Sequence, residues 1–261
     1  MKLATWNVNS LGARLPRVLE FLSAETPDVL MLQETKCDEA SFPREELAAA
    51  GYDAAHHGAG RWAGVAILAR RELGGLADAR AGLPGERRSE EARWIEATVA
   101  GMRCASAYVT NGREVGSEWF EEKLQFLDAL AQRAASAADD SVPFVVAGDF
   151  NVAREDRDVY DPQAFAGATH VTAEERSRLE RILDDGALVD AYRHVHPDDE
   201  QFTWWDYRQG HFHRGLGLRI DYILLDRSLA GALSECAIRR DFRKGTKPSD
   251  HAPLVAELAA R

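Results

Sequence analysis

The 261-residue chain predicts an α/β fold: two mixed β-sheets packed face to face, with helices on the outside. Three observations carry that expectation. Short unbroken apolar runs, at residues 28–32 and 144–147, are the pattern of strands covered on both faces. Segments with apolar residues at helical spacing lie between strands, as with Leu15, Val18, Leu19 and Leu22. Residues 93–99 and 103–109 form a hairpin turning near Gly101, which makes the sheets mixed rather than purely parallel.

In chain order, residues 3–8 form the first strand, whose end carries Asn7 and Asn9. A helix over 14–25 follows, stopped by Pro27. The second strand, 28–32, runs into Gln33-Glu34-Thr35, and a short helix over 44–50 ends at Gly51. Residues 64–68 form a third strand. The second hairpin member delivers Tyr108 at its end, and Ser117 caps a helix with Phe120, Leu124, Leu127 and Leu130 on its apolar face. Strand 144–147 ends in Gly148-Asp149-Phe150-Asn151, followed by a polar loop over 154–167. Thr172-Ala173-Glu174-Glu175 has the capping-box pattern and starts a helix that ends near Gly186. Beyond an aromatic-dense stretch at 201–208, strands are expected at 218–225, 237–242 and 251–258. No linker or repeat interrupts the chain, so residues 1–261 are expected to form one domain.

Composition narrows the function classes. A formal net charge of −11 argues against a protein that coats nucleic acid, while leaving room for an enzyme with a local basic footprint. Residues 207–250 supply such a footprint or a solvated charged surface: nine arginines and lysines, with His211 and His213 beside them. The three cysteines, Cys37, Cys104 and Cys236, have no metal-like spacing and fit free thiols in a reducing cytoplasm. No signal peptide or membrane-spanning run is visible, so a cytoplasmic protein is expected.

The polar residues that terminate apolar strands are Asn7, Asn9, Glu34, Tyr108, Asp149, Asn151, Asp221 and the pair Asp250-His251. Each alone fits an ordinary turn, cap or surface carboxylate. Their repetition at strand ends suggests one site, and its residue types suit attack of water on a phosphate ester. Glu34, with Asp250 or Asn9, would hold a hard divalent cation, Mg²⁺ or Mn²⁺. Asp149 would orient or deprotonate the water, with Asn151 and Asn7 positioning water or phosphate oxygens. His251, fixed by a carboxylate such as Asp221, would contact the phosphate, and Tyr108 would donate to a developing oxyanion.

These residues sit in motifs that resemble a known family. Thr5-Trp6-Asn7-Val8-Asn9, Leu32-Gln33-Glu34-Thr35-Lys36, Gly148-Asp149-Phe150-Asn151, Leu218-Arg219-Ile220-Asp221 and Pro248-Ser249-Asp250-His251 occur in the order seen in the exodeoxyribonuclease III family of abasic-site endonucleases. The resemblance runs from Met1 to near Arg261. It implies a four-layer α/β sandwich of the DNase I-like kind. It also implies Mg²⁺- or Mn²⁺-dependent cleavage 5′ to abasic sites in double-stranded DNA, with 3′-to-5′ exonuclease and 3′-phosphatase activity on 3′-blocked ends. The enzyme would act as a monomer, away from membranes and at the nucleoid. The match makes Glu34, Asn9 and Asp250 metal-site residues and Tyr108, Asp149, Asn151, Asp221 and His251 catalytic ones. Asn7 falls at a substrate position, Trp204 lines a pocket for a flipped-out abasic sugar, and Leu218, Arg219 and Ile220 lie beside that pocket.

Two departures stand out. Thr110 replaces a proline of the family pattern, which would loosen the loop after Tyr108. Gly215-Leu216-Gly217 precedes Leu218 where a more basic pattern is expected, which bears on DNA insertion rather than on hydrolysis. The alternative is a phosphoesterase of the same superfamily acting on a phosphate ester other than DNA.

Overall fold

The computed structural model describes residues 1–259; Ala260 and Arg261, the last two residues of the expected domain, lie outside the described residues. Its strands are β1 (Lys2–Asn7), β2 (Val29–Gln33), β3 (Tyr52–His57), β4 (Val65–Arg70), β5 (Ala77–Ala81), β6 (Trp94–Val99), β7 (Met102–Tyr108), β8 (Phe144–Asp149), β9 (Leu188–Asp190), β10 (Asp221–Asp226), β11 (Leu233–Ile238) and β12 (Leu254–Leu258). The principal helices are α1 (Leu11–Glu25), α2 (Arg44–Ala49), α3 (Glu118–Ala138) and α4 (Ala173–Asp185). The strands form two six-stranded sheets, ordered β11-β12-β1-β2-β4-β3 and β5-β6-β7-β8-β10-β9.

Strand alternation sorts the core into layers. Val145, Ala147, Ile223 and Cys104 face Leu3, Met31, Ile67 and Leu254 between the sheets. Phe144, Val146, Tyr222 and Leu224 point the other way, under Phe126, Leu127, Leu130, Leu179 and Ile182 of α3 and α4. On the other sheet, Trp6, Leu30, Leu32 and Leu68 lie under Val18, Phe21 and Leu22 of α1 and Leu47 of α2. Helix, sheet, sheet and helix thus stack as four layers, each helix covering an outer sheet face with its apolar stripe. No helix among the described residues is long and apolar enough to cross a membrane.

Each sheet has one parallel pair at its centre, β1 with β2 and β7 with β8. The flanking pairs β12–β1 and β10–β8 are antiparallel. The four central strands therefore finish at one rim, and their antiparallel neighbours, β10 and β12 among them, begin there. Alternation then turns Asn7, Tyr108, Asp149 and Asp221 to the inner face, continuing the rows Leu3-Thr5-Asn7 and Val145-Ala147-Asp149.

Several boundaries differ from the sequence reading, each for a local reason. The first helix starts at Leu11 rather than residue 14, because the Ser10 hydroxyl accepts from the Ala13 amide. The expected strand at 218–225 begins only at Asp221; Leu218 instead bridges Val159 and Trp204. The strand expected at 237–242 runs Leu233–Ile238, and Phe242 reaches Trp6 and Phe21 from a short 3₁₀ turn, at 5.8 and 5.1 Å between rings. The last strand starts at Leu254, after Pro253, which has no amide to donate to a ladder. Strands β3, β5 and β9 were not expected. The first two are edge strands with little or no continuous burial, and the third has only three residues.

Arg219 braces the fold. It is fully buried, and its guanidinium donates at 2.7 and 3.0 Å to Asp158 and at 2.8 Å to Asp190. Arg193 completes the cluster at 2.6 Å from Asp158. Removing one partner of such a network leaves buried charge uncompensated. Arg219→Met is therefore expected to lower folding stability by about 3–5 kcal/mol, seen as a reduced urea midpoint. An unchanged midpoint would show that the cluster contributes no net stability.

Candidate active site

The two parallel pairs set the site's frame. Tyr108 pairs in register with Asp149, and Asp149 pairs with Asp221 across the antiparallel ladder. Gly148 lies inside β8 rather than in a turn after it. A Cβ there would sit 1.9 Å from the Ala107 carbonyl oxygen, so glycine is required for β8 to lie against β7 immediately below Asp149.

Beneath the rim lies a layer of paired polar groups. Gln33 donates to the Thr5 hydroxyl and to the Ser106 hydroxyl, both at 3.0 Å, linking the two sheets. Ser106 in turn donates to the Leu32 carbonyl at 2.9 Å. All three side chains are fully buried, so their mutual bonding is what makes a polar floor tolerable there.

On this floor Asn7 joins two carboxylates. Its amide donates at 2.8 Å to Glu34 and at 2.9 Å to Asp149. Asn151 binds Asp149 twice, through its backbone amide at 2.9 Å and its side chain at 3.1 Å, and also donates to the Val109 carbonyl at 2.7 Å. His251 Nδ1 lies 2.8 Å from Asp221, and its Nε2 lies 3.6 Å from Asp149. One ligand atom each from Glu34, Asp149 and His251 lie within 4.8 Å of one another.

A second chain of contacts runs outward. Lys36 Nζ lies 2.7 Å from Glu34 and donates at 2.5 Å to the Asn9 side-chain oxygen. Asn9 donates at 3.0 Å to Asp250, which also accepts from the Trp204 indole at 3.0 Å. Asn9, Glu34, Lys36 and Asn151 all have positive φ, an unusual backbone for residues other than glycine and a common accompaniment of functional sites.

The structure thus brings together Asn7, Glu34, Asp149, Asn151, Asp221 and His251, with Asn9, Asp250 and Trp204 joined to them through Lys36. Tyr108 stands in register beside Asp149. Leu218 and Ile220 pack with Ala153 and Val159 in a buried apolar cluster against which Trp204 rests. Arg219, between them, points into the interior and offers no group to a ligand. Much of the basic stretch is also internally paired: Arg208 with Asp206, Arg239 with Glu25 and Glu235, and Lys244 with Asp241.

Several contributors had weak sequence signals. Lys36 stands two residues after Glu34 but carries a lysine's ordinary surface look. Ser249 donates to the Asn7 carbonyl at 2.7 Å and accepts from the His251 amide, tying the last motif to the first. Lys123 is buried on the otherwise apolar face of α3, paired with Glu175 and donating at 2.7 Å to the Asn151 carbonyl. A lone lysine at a core position was its only mark.

Burial is the largest influence on Asp149 and pushes its carboxyl up to about 8, against the opposing charge of His251. For His251, burial alone would favour the neutral ring, but Asp221 and Asp149 outweigh it and raise the pKa to about 10. Burial, then the charges of Glu34 and Asp149, push the Tyr108 phenol well above its ordinary value, so it remains a proton donor. Asp250 is pushed up by burial, yet the charge of His251 and the bonds from Trp204 and Asn9 hold it below the usual range.

These states decide how a cation would fit. A charged imidazolium has no lone pair to offer a cation and can instead donate to an anion. Glu34 and Asp149, with the neighbouring amide oxygens, make an oxygen donor set suited to a hard divalent ion. Lys36 is the cation that now neutralises Glu34.

Residues 4–251 match the Endonuclease/Exonuclease/phosphatase family model. Exodeoxyribonuclease III of Haemophilus influenzae is 32% identical over 270 residues, covering 99% of this chain and all of that protein. The chain belongs to the exonuclease III/AP endonuclease family. Among solved structures, NExo of Neisseria superposes over both full chains with a TM-score of 0.95, described as a 3′-5′ exonuclease at 39% identity and as a 3′ phosphatase bound to product DNA hairpin at 38%. An AP endonuclease from Archaeoglobus fulgidus matches over both full chains at TM-score 0.94 and 36% identity. These neighbours carry the DNase I-like fold seen here, and the chain is a hydrolase, an exonuclease III-like DNA repair nuclease.

Membership in this family directs attention to the His251–Asp221 pair. Asp221→Asn removes the charge that most favours the imidazolium. The apparent pKa of His251 is then expected to fall by about 1–3 units, read from its imidazole C–H resonances. Hydrolysis should decline with rising pH earlier than in the wild type, since the ring loses its proton sooner. An unchanged titration would remove Asp221 from this role.

Proposed function

We propose that this nuclease hydrolyses phosphoester bonds of duplex DNA, with the sugar 3′-oxygen as the leaving group. The observation that carries the reading is the cluster of Asp149, Asn7, Asn151 and His251 at the rim between the sheets. Asp149 accepts a proton from the attacking water, its basicity raised by burial. The Asn7 and Asn151 amides hold its carboxylate in one orientation. His251, kept charged by Asp221, donates to a phosphate oxygen, and Tyr108 donates to the oxygen on which charge develops. A divalent cation held by Glu34 and adjacent oxygens, Asn9 and Asp250 included, would supply neutralisation of the phosphate charge, with Mg²⁺ or Mn²⁺ suited to such donors.

This chemistry serves incision 5′ to an abasic site, 3′-to-5′ exonuclease action and removal of a 3′-phosphate alike. Abasic-site incision rests on Trp204, Leu218 and Ile220 forming an apolar slot for a baseless sugar. A second reading, action chiefly at 3′ ends, is favoured by the burial of that cluster: Leu218 is 1% and Ile220 2% exposed, leaving those side chains little surface to offer a sugar. The similarity to NExo points the same way.

Three substrates separate the readings: a duplex with one central abasic site, a recessed 3′-hydroxyl end and a 3′-phosphate end, each with Mg²⁺ and with chelator. All cleavage should require the metal. Asp149→Ala should reduce every activity by at least about 10³-fold while leaving the fold intact by circular dichroism. Retained activity in that variant would remove Asp149 from the chemistry. Trp204→Ala should harm abasic incision more than 3′-phosphate release if the slot receives the abasic sugar; equal losses favour action at 3′ ends.

A further inference from the structure

Outside the reaction centre lies a recess of about 260 Å³ lined by Tyr207, His211, Phe212, Arg243, Lys244 and Pro248. Arg243 is its unusual member. It is only 7% exposed, yet no carboxylate of the described residues forms an ion pair with it. Its Nη2 donates to the Trp205 carbonyl at 3.2 Å, and its buried Nε has no hydrogen-bond partner among the described residues. The guanidinium stacks on Tyr207 and Phe212, 4.9 and 5.2 Å from the ring centroids. Asp206 also lines the recess, but both its oxygens are held by Arg208, at 3.0 and 2.6 Å. Asp241 is held by Lys244 at 2.6 Å.

Buried guanidinium groups are ordinarily paired with an anion, because an uncompensated charge in a protein interior is costly. Arg219, fully buried, has two carboxylates within hydrogen-bond distance; Arg243 has no ion-pair partner among the described residues, and only the more distant charge of Asp250 acts on it. The missing anion fits the recess, which presents Arg243 beside His211 and His213. We propose that the recess binds a phosphate group of the DNA strand other than the one that reacts, an inference that rests on the reading of DNA as substrate. Its position supports this. The Tyr207 hydroxyl donates to the Pro248 carbonyl at 2.9 Å and accepts from Arg14 at 3.0 Å. Arg14 donates to the Asn9 carbonyl at 2.6 Å. One wall of the recess is therefore built on the segments that carry Asn9 and Asp250, so a strand seated at Asp149 and His251 can continue into it. Phosphate is bound there by Arg243 as a planar donor, which positions the strand without reading its sequence.

The test is Arg243→Met, which keeps the aliphatic stem and removes the charge. KM for duplex substrate should rise about tenfold with kcat retained, and the slope of log affinity against log salt should shrink by about one. The thermal midpoint should hold or rise, because a buried unpaired charge has gone. If that variant fails to fold, Arg243→Lys keeps the charge but loses the planar fork, and the same rise in KM is expected. Inorganic phosphate distinguishes the source of the group. If the recess takes a terminal phosphate, phosphate alone shifts the Arg243 Nε–H resonance; if it takes an internal phosphodiester, only duplex DNA does. A folded, active variant with wild-type KM and salt slope overturns the proposal. A wild-type enzyme that cleaves no DNA overturns the substrate reading instead, and the recess assignment falls with it.

Discussion

A charged imidazole held between two buried carboxylates imposes the strictest demand on the surrounding structure. His251 stands 2.8 Å from Asp221 and 3.6 Å from Asp149, with all three almost fully removed from water. Such a cluster is stable only where each group has a partner, since solvation no longer helps. Asn7 and Asn151 complete Asp149, Ser249 anchors the segment of His251, and the Thr5-Gln33-Ser106 layer closes the gap beneath. The same partners that make burial tolerable also set the protonation states and orientations of the groups proposed to carry out hydrolysis.

Sheet topology is what makes that cluster possible. Placing a parallel pair at the centre of each sheet brings the ends of β1, β2, β7 and β8 to one rim, and the antiparallel neighbours bring the starts of β10 and β12 to it. Six segments from distant parts of the chain then meet with their inner-facing side chains converging. The close approach of β8 to β7 at Gly148 brings Asp149 alongside Tyr108. Behind this rim, Lys123 and Glu175 join α3 and α4 to the backbone of Asn151, so the outer helical layer also supports the reaction centre.

Central strands and capped helices were legible because their signals are local. Val145 to Ala147, the Thr172 capping box and the hairpin at Gly101 each declare themselves within a few residues. The edge strands β3, β5 and β9 were not legible; β5, for one, is wholly exposed along its length and has no buried face to leave a pattern. At the site, residue types at strand ends identified Glu34, Asp149, Asp221 and His251 as candidates. The family resemblance put Arg219 beside the substrate pocket with Leu218 and Ile220, but adjacency in sequence says nothing about which way a side chain turns, and this one is fully buried. Its pairing with Asp158 and Asp190 depends on segments 61 and 29 residues away.

The α/β class, the order of the motifs and the inventory of oxygen, amide and imidazole groups could be read from the chain alone, because composition and periodicity act over short distances. Which of those groups meet as hydrogen-bond or ion-pair partners was settled by packing between distant segments. Lys36 becomes the partner of Glu34 and Asn9, Lys123 the support of Asn151, and Arg243 a buried cation with no ion-pair partner among the described residues. Those outcomes follow from burial and from contacts between segments far apart in the chain, and in a low-dielectric interior such contacts outweigh anything a residue's neighbours in sequence can specify.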